Sequence, residues 1–269
     1  MNLEKKKQLL EICSSAARLA GKEILQVYNS DFDVEHKKDE SPLTQADRNA
    51  HLSIVSSLED TAYPILSEEG RNIPFSERKN WEYFWMVDPL DGTKEFVKRN
   101  GEFTVNIALI HEQQATLGVI YVPVKDELYV GAQGVGAFKV SEYSKKSTED
   151  FLTLLVSENQ LPKKAERKYT IVGSRSHMSA ETEEFIEDKR KEQGEIDMIS
   201  VGSSLKLCMV AEGMADDYPR FAPTMEWDTA AGQAIVEAMG GTVIDWKSKS
   251  PMKYNRENLL NNWFLVAKP

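Results

Sequence analysis

Residues 83 to 140 constrain the fold most, because five short apolar segments, YFWMV, TVNIALI, TLGVIYVPV, ELYVGA and GAFKV, follow one another across tight turns. They are rich in β-branched and aromatic residues, and none is long enough for a buried helix, so the pattern predicts an antiparallel meander. Such a sheet needs an apolar cover. Leu9, Leu10, Ile12, Cys13, Ala16, Ala17, Leu19, Ala20, Ile24, Leu25 and Val27 recur at intervals of three and four, which predicts one long amphipathic helix over residues 3 to 29. A turn at Ser41-Pro42 precedes a second helix over about 44 to 59, and PILSEEG reads as a short strand ending in two acids.

The texture changes between residues 141 and 168, which are charged and irregular. Beyond them strands and helices alternate: YTIVG, helix 179 to 193, IDMISV, helix 204 to 213, ADDYP, helix 229 to 239, TVIDW and WFLVAK. This predicts an α/β class, with a single domain over 1–269 made of an α+β lobe at 1–146 and an α/β lobe at 147–269. In such sheets the loops after the carboxyl ends of the strands are the usual ligand positions.

Composition narrows the function. The chain has 269 residues, of which 41% are hydrophobic, with 33 basic and 43 acidic residues and a formal charge of −10. An acidic protein lacks the basic stripe that tracking a nucleic acid requires, so no nucleic-acid partner is expected. Cys13 and Cys208 show no metal-ligand spacing, and a reduced, cytoplasmic setting fits them best. The basic start is interrupted in helical period by Glu11, Ser14, Ser15 and Arg18 and reads as a mature helix, not a leader. No run of about 18 apolar residues occurs, so no integral membrane segment is expected, while peripheral contact at an inner membrane face stays open.

Acids then stand where chain type changes. Asp88 ends the apolar run YFWMV, Asp91 follows after Pro89-Leu90, Glu68 and Glu69 end PILS, and Asp228 lies in MEWDTAAGQ. Ordinary helix capping explains some of them: Thr44 to Asp47 matches a capping box, and Asp228 before Thr-Ala-Ala suits an N-cap. Asp88 fits least, since a carboxylate closing a buried strand is desolvated unless a cation or donors meet it. Hard cations such as Mg²⁺ take carboxylate and carbonyl oxygens, and acids from separate segments suit a two-metal site. If a helix begins at Asp91 or Gly92, its unpaired amides face an oxyanion that glycine lets approach. His51, His111 and the GVGAF hairpin carry no such signal.

In this order, Glu68-Glu69, Asp88 to Thr93 (DPLDGT) and Trp227 to Ala231 (WDTAA) resemble the lithium-sensitive, magnesium-dependent phosphatases that include inositol monophosphatase and fructose-1,6-bisphosphatase. LSEEG, VDPLDGTKEFVKRNGEFTVNIALI, GSRSH, VGSSLKLCMVAEGMADDYPR and WDTAAGQAIVEAMGG look most like the 3′(2′),5′-bisphosphate nucleotidase branch, and the likeness spans residues 7 to 268. It implies a layered αβαβα sandwich, two to three Mg²⁺ ions, and hydrolysis of adenosine 3′,5′-bisphosphate, or its 5′-phosphosulfate counterpart, at the 3′-phosphate.

The resemblance also implies roles. Glu68, Asp88 and the Leu90 carbonyl would hold one metal, and Asp88, Asp91 and Asp228 a second. Gly92 and Thr93 would bind the scissile phosphate through their amides, while Thr93, Asp47 and Glu68 would serve the attacking water. From the residues themselves, GSRSH, GSSLK and Tyr218-Pro-Arg220 offer hydroxyl and cationic donors, and GSSLK would place free amides at a helix start, so Ser203, Ser204, Lys206 and Arg220 are expected to engage the second phosphate or ribose, with Ser174 and His177 near the nucleoside. An inositol or sugar monophosphatase with the same metal core is the alternative. A phosphoaspartyl phosphatase fits less well, because its two aspartates are not three apart. The partner implied is a small nucleotide, in a monomer or homodimer.

Overall fold

The protein is described from a computed structural model over residues 1–30, 34–36, 42–147, 151–163, 166–173 and 179–269. The first half contains α1 (Leu3–Tyr28), β1 (Val34–His36), β2 (Pro42–Thr44), α2 (Gln45–Leu58), β3 (Ile65–Ser67), α3 (Phe75–Arg78), β4 (Tyr83–Asp91), α4 (Thr93–Val97), β5 (Thr104–His111), β6 (Gln114–Val122), β7 (Glu127–Ala132) and β8 (Gly136–Ser141). The second half contains β9 (Tyr169–Gly173), α5 (Ala180–Gln193), β10 (Ile196–Ser200), α6 (Leu205–Glu212), β11 (Asp217–Arg220), α7 (Glu226–Ala238), β12 (Thr242–Asp245) and β13 (Phe264–Ala267).

The expected meander is present: β4 to β8 pair antiparallel in sequence order, and β3 adds a parallel edge to β4. The second sheet runs β10-β9-β11-β13-β12, with β10, β9 and β11 parallel and β13 antiparallel to both neighbours. Helices α1 and α2 cover one face of the six-stranded sheet, and α6 and α7 lie between the two sheets. Helix α5 packs on β10 and β11, which completes the αβαβα sandwich.

Alternation along the strands sorts side chains between two cores. Trp85, Val87, Val105 and Ile107 join the α1 and α2 side, whereas Phe84, Met86, Ala108 and Ile110 join the α6 and α7 side. That second cluster also holds Val172, Val243, Phe264 and Val266 of the other sheet, so the two halves share a core. Helix α7 lies close to the sheet because glycines face it. A β carbon at Gly118 would sit 2.2 Å from the Ala231 carbonyl oxygen, and one at Gly131 would sit 2.6 Å from the Ile235 Cα. This close seat fixes where the first turn of α7 meets β4 and β5.

One boundary differs in a way that matters. Helix α7 starts at Glu226, three residues before the expected start, with Met225 as its N-cap. Asp228 is therefore the third residue of the helix and not its cap. No described helix is long and apolar enough to cross a membrane.

Candidate active site

The acids of DPLD face one way because β4 carries an extra residue. Asp88 pairs with Asn106 and Asp91 with Thr104, so three steps along β4 oppose two along β5. In a regular strand, residues three apart point to opposite faces; the bulge returns Asp91 to the face of Asp88. Leu90 turns into the α1 and α2 core, and Pro89, which cannot donate a ladder bond, suits the irregularity. Gly92 follows with φ 94°, a left-handed conformation that suits glycine, and caps α4. The amides of Gly92 and Thr93 have no hydrogen-bond acceptor among the described residues.

Asp88 is 2% exposed, and only the Leu90 amide, 3.1 Å from Oδ1, donates to it among the described residues. Burial first, then the negative charges of Glu68, Asp91, Asp228 and Asp47, hold its carboxyl well above the usual range. Asp91 and Asp228 are raised in the same direction, again chiefly by burial. Each aspartate keeps one oxygen tied: Asp91 Oδ2 accepts from the Ser204 amide at 2.5 Å, and Asp228 Oδ2 from the Met225 amide at 2.9 Å. Such a set, short of donors and rich in hard oxygens, suits a divalent cation. The acids surround Asp88 without closing on a common point: among the described residues, no three His, Cys, Asp or Glu side chains converge as a ready-made cage.

Glu68 and Glu69, alike in sequence, separate in space. The charge of Glu68 acts on Asp88 and Asp228, while that of Glu69 acts on His51, whose Nδ1 lies 2.9 Å from Ser67 Oγ. Asp47, in the first turn of α2, is buried and close enough to Asp88 to raise it. Thr93 Oγ1 lies 3.4 Å from the Leu90 carbonyl oxygen it donates to, the same carbonyl expected to face a metal.

A cavity of about 300 Å³ opens beside Asp91 and Asp228, walled by Gly92, Ser203, Lys206 and Arg220. Lys94 on α4 and Lys98, which caps its carboxyl end, also line it and add positive charge in an otherwise acidic protein. Arg220 Nε and Ser203 Oγ are buried without a partner among the described residues, and Ser203 has φ 46°. Orphaned donors on a cavity wall are what an anionic ligand satisfies.

The GSSLK segment departs from expectation. Its amides are not free: Gly202 N donates to Glu102 Oε2 at 2.9 Å, and Ser204 N to Asp91. Ser204 is 2% exposed, and its hydroxyl lies 2.8 Å from Asn106 Oδ1 and 2.7 Å from Thr104 Oγ1. It is bonded into the wall behind Asp91 and is not available to a substrate. Lys206 Nζ donates to the carbonyls of Ser203 at 2.6 Å and Val201 at 3.3 Å, and burial pushes its ammonium down to about 8.

Asn106 and Thr104, which brace Asp91 from β5, were not among the expected residues. Their signal was the polar alternation inside TVNIALI, since buried polar groups in an apolar strand need partners. Ser174 and His177 lie outside the described residues. They follow β9, whose carboxyl end opens beside those of β10 and β11, the strands that lead into GSSLK and Arg220.

A sequence model of the inositol monophosphatase family matches residues 5–268. The 3′(2′),5′-bisphosphate nucleotidase CysQ of Escherichia coli K12 is 44% identical over 264 residues, covering 96% of this chain and 99% of that protein. The crystal structure of CysQ from Bacteroides thetaiotaomicron, a bacterial member of the inositol monophosphatase family, superposes with a TM-score of 0.86 at 47% identity over 98% of each chain. The inositol monophosphatase of Anabaena shares the fold, with a TM-score of 0.70 at 24% identity over 97% of this chain and 90% of its own.

Proposed function

The chain belongs to the inositol monophosphatase family, and from that premise we propose that it is a magnesium-dependent 3′(2′),5′-bisphosphate nucleotidase. It hydrolyses the 3′-phosphate of adenosine 3′,5′-bisphosphate, releasing AMP and inorganic phosphate. The observation that carries this reading is the meeting of two opposite electrostatic features in one cavity. Buried Asp91 and Asp228 line it, with the charge of Asp88 close behind them, and Lys206, Ser203 and Arg220 line it as well, with Arg220 Nε and Ser203 Oγ lacking a partner among the described residues. A monophosphate would be served by the first alone, whereas a bisphosphate uses both.

Two to three Mg²⁺ ions would be held by Glu68, Asp88, the Leu90 carbonyl, Asp91 and Asp228. When bound they supply acidified water and neutralise phosphoryl charge. The chain's residues do the rest. The Gly92 and Thr93 amides hold the scissile phosphate at the start of α4, and Asp47, Thr93 and Glu68 orient the attacking water and take up its proton. Water oxygen bonds to phosphorus as the bond to the 3′-oxygen breaks in line, and that oxygen leaves as the AMP hydroxyl after gaining a proton. Arg220, Ser203 and Lys206 hold the second phosphate or ribose, with Ser174 and His177 near the nucleoside. Ser204 acts through Asp91, because its amide and hydroxyl are bonded into the wall.

Phosphate release from adenosine 3′,5′-bisphosphate, its 5′-phosphosulfate counterpart and inositol 1-phosphate, with Mg²⁺ and with chelator, tests the reading. A preference for the nucleotides of at least about tenfold in kcat/KM, lost with chelator, is expected. Faster turnover of inositol 1-phosphate would overturn it.

A further inference from the structure

The segment KYNRENLLNNW (253–263) plays no part in the site described above, yet it is stitched to the helix start that presents Asp228. Met225 and Leu260 form an isolated antiparallel bridge, and the Glu226 amide donates to the Leu259 carbonyl at 2.9 Å. Asn261, 6% exposed, is the centre of this seam. Its backbone N–H donates to the Thr224 carbonyl at 2.8 Å. That carbonyl belongs to the same peptide unit whose N–H, on Met225, donates to Asp228 Oδ2 at 2.9 Å. The side-chain amide of Asn261 then takes the next peptide, reaching the Met225 carbonyl at 2.7 Å and the hydroxyls of Thr224 and Thr229 at 3.1 Å each.

Asn261 is itself held. Arg256 Nη2 donates to Asn261 Oδ1 at 2.9 Å, while Arg256 Nε donates at 2.9 Å to Glu226, which is fully buried at the first position of α7. Glu226 also accepts the Asn255 amide at 2.5 Å. A hydrogen-bond chain polarised in one direction thus runs from Arg256 through Asn261 and one peptide plane to a single oxygen of Asp228. Each group along it donates to the next, so a shift of Asn261 is felt at Asp228.

We propose that Asn261, backed by Arg256, is a positioning residue for Asp228. It locks the two peptide planes around Met225, so that one carboxylate oxygen of Asp228 is tied to the helix start and the other is aimed at the cation site. The inference rests on Asp228 being a metal ligand. A residue that orients a ligand changes metal affinity, typically by 10- to 100-fold on mutation, whereas a residue that only holds the fold changes melting temperature.

The experiment compares full-length wild type, Asn261→Ala and Arg256→Lys. Mn²⁺ binding to the substrate-free protein is measured by electron paramagnetic resonance, and Mg²⁺ activation and KM are measured with adenosine 3′,5′-bisphosphate. Asn261→Ala should weaken Mn²⁺ binding about tenfold or more and raise the half-activating Mg²⁺ concentration in parallel. KM at saturating Mg²⁺ should move less than about threefold. Arg256→Lys keeps the charge beside Glu226 but cannot also reach Asn261, and should shift both metal readouts the same way by a smaller factor. Mn²⁺ affinity within about twofold of wild type in folded Asn261→Ala overturns the proposal; if that variant does not fold, wild-type affinity in Arg256→Lys does so. A wild type whose phosphatase activity is indifferent to chelator would instead overturn the functional reading itself.

Discussion

Replacing Asp88 with asparagine should make the metal-free protein more stable while removing its function. The substitution is nearly isosteric, and the asparagine oxygen can keep the bond from the Leu90 amide that Oδ1 now accepts at 3.1 Å. It removes a carboxylate that is 2% exposed and stands among four other acids, Glu68, Asp91, Asp228 and Asp47. An uncompensated buried charge costs several kcal/mol before the group takes up a proton, so roughly 1–3 kcal/mol should be regained. For a chain of this size each kcal/mol moves the melting temperature by about 2–4 °C, so with chelator the variant should melt about 2–12 °C above wild type. With Mg²⁺ at about 100 times its Kd, wild type gains about 2.7 kcal/mol that the variant mostly lacks, which closes or reverses the gap.

The pH dependence has a definite sign. Burial raises the Asp88 carboxyl in the folded state, so above the unfolded value of about 3.9 the folded protein binds more protons than the unfolded chain. Metal-free wild type therefore loses stability as pH rises from about 4 toward the raised folded value, and Asp88→Asn lacks that contribution. Its advantage over wild type should shrink as the pH falls toward 4. Thermal melts in chelator at several pH values, repeated in Mg²⁺, give both comparisons. A variant that melts at or below wild type in chelator across this range would refute the reasoning, since the carboxylate would then be stabilising without a cation.

Two further outcomes separate residues that look alike in sequence. Glu68→Gln should weaken Mg²⁺ activation at least about tenfold while Glu69→Gln changes it little, because the charge of Glu68 acts on Asp88 and Asp228 and that of Glu69 on His51; equal effects in a Mg²⁺ titration would refute the distinction. The Lys206 ammonium, pushed down to about 8 by burial, is neutral above that pH, so kcat/KM for the bisphosphate should fall on the alkaline side. That limb should disappear in Lys206→Met, and its persistence in a pH profile of the variant would assign it to another group.

Local chemistry was legible in the sequence, and long-range pairing was not. The meander, the two covering helices and the alternating second half could be read because hydrophobic period survives in any tertiary context. The acids of DPLD were legible as an anomaly, but their common facing was not: a spacing of three predicts opposite faces, and only pairing with Asn106 and Thr104 exposes the extra residue. GSSLK illustrates the converse. A glycine and two serines before a helix signal open amides, yet Glu102 and Asp91, 100 and 113 residues away, already occupy two of them. Asp228 resembled a helix cap because it directly precedes Thr-Ala-Ala, a run that suits a helix start. Glu226 is buried against Arg256, which lets α7 begin a turn sooner and carries Asp228 inside it. In each of these three cases a partner distant in sequence turns a carboxylate or an amide from a solvated group into a fixed one. The residues that bear the chemistry are therefore conspicuous in the chain, whereas the bracing of Asp91 by Asn106 and Ser204 becomes visible only after folding.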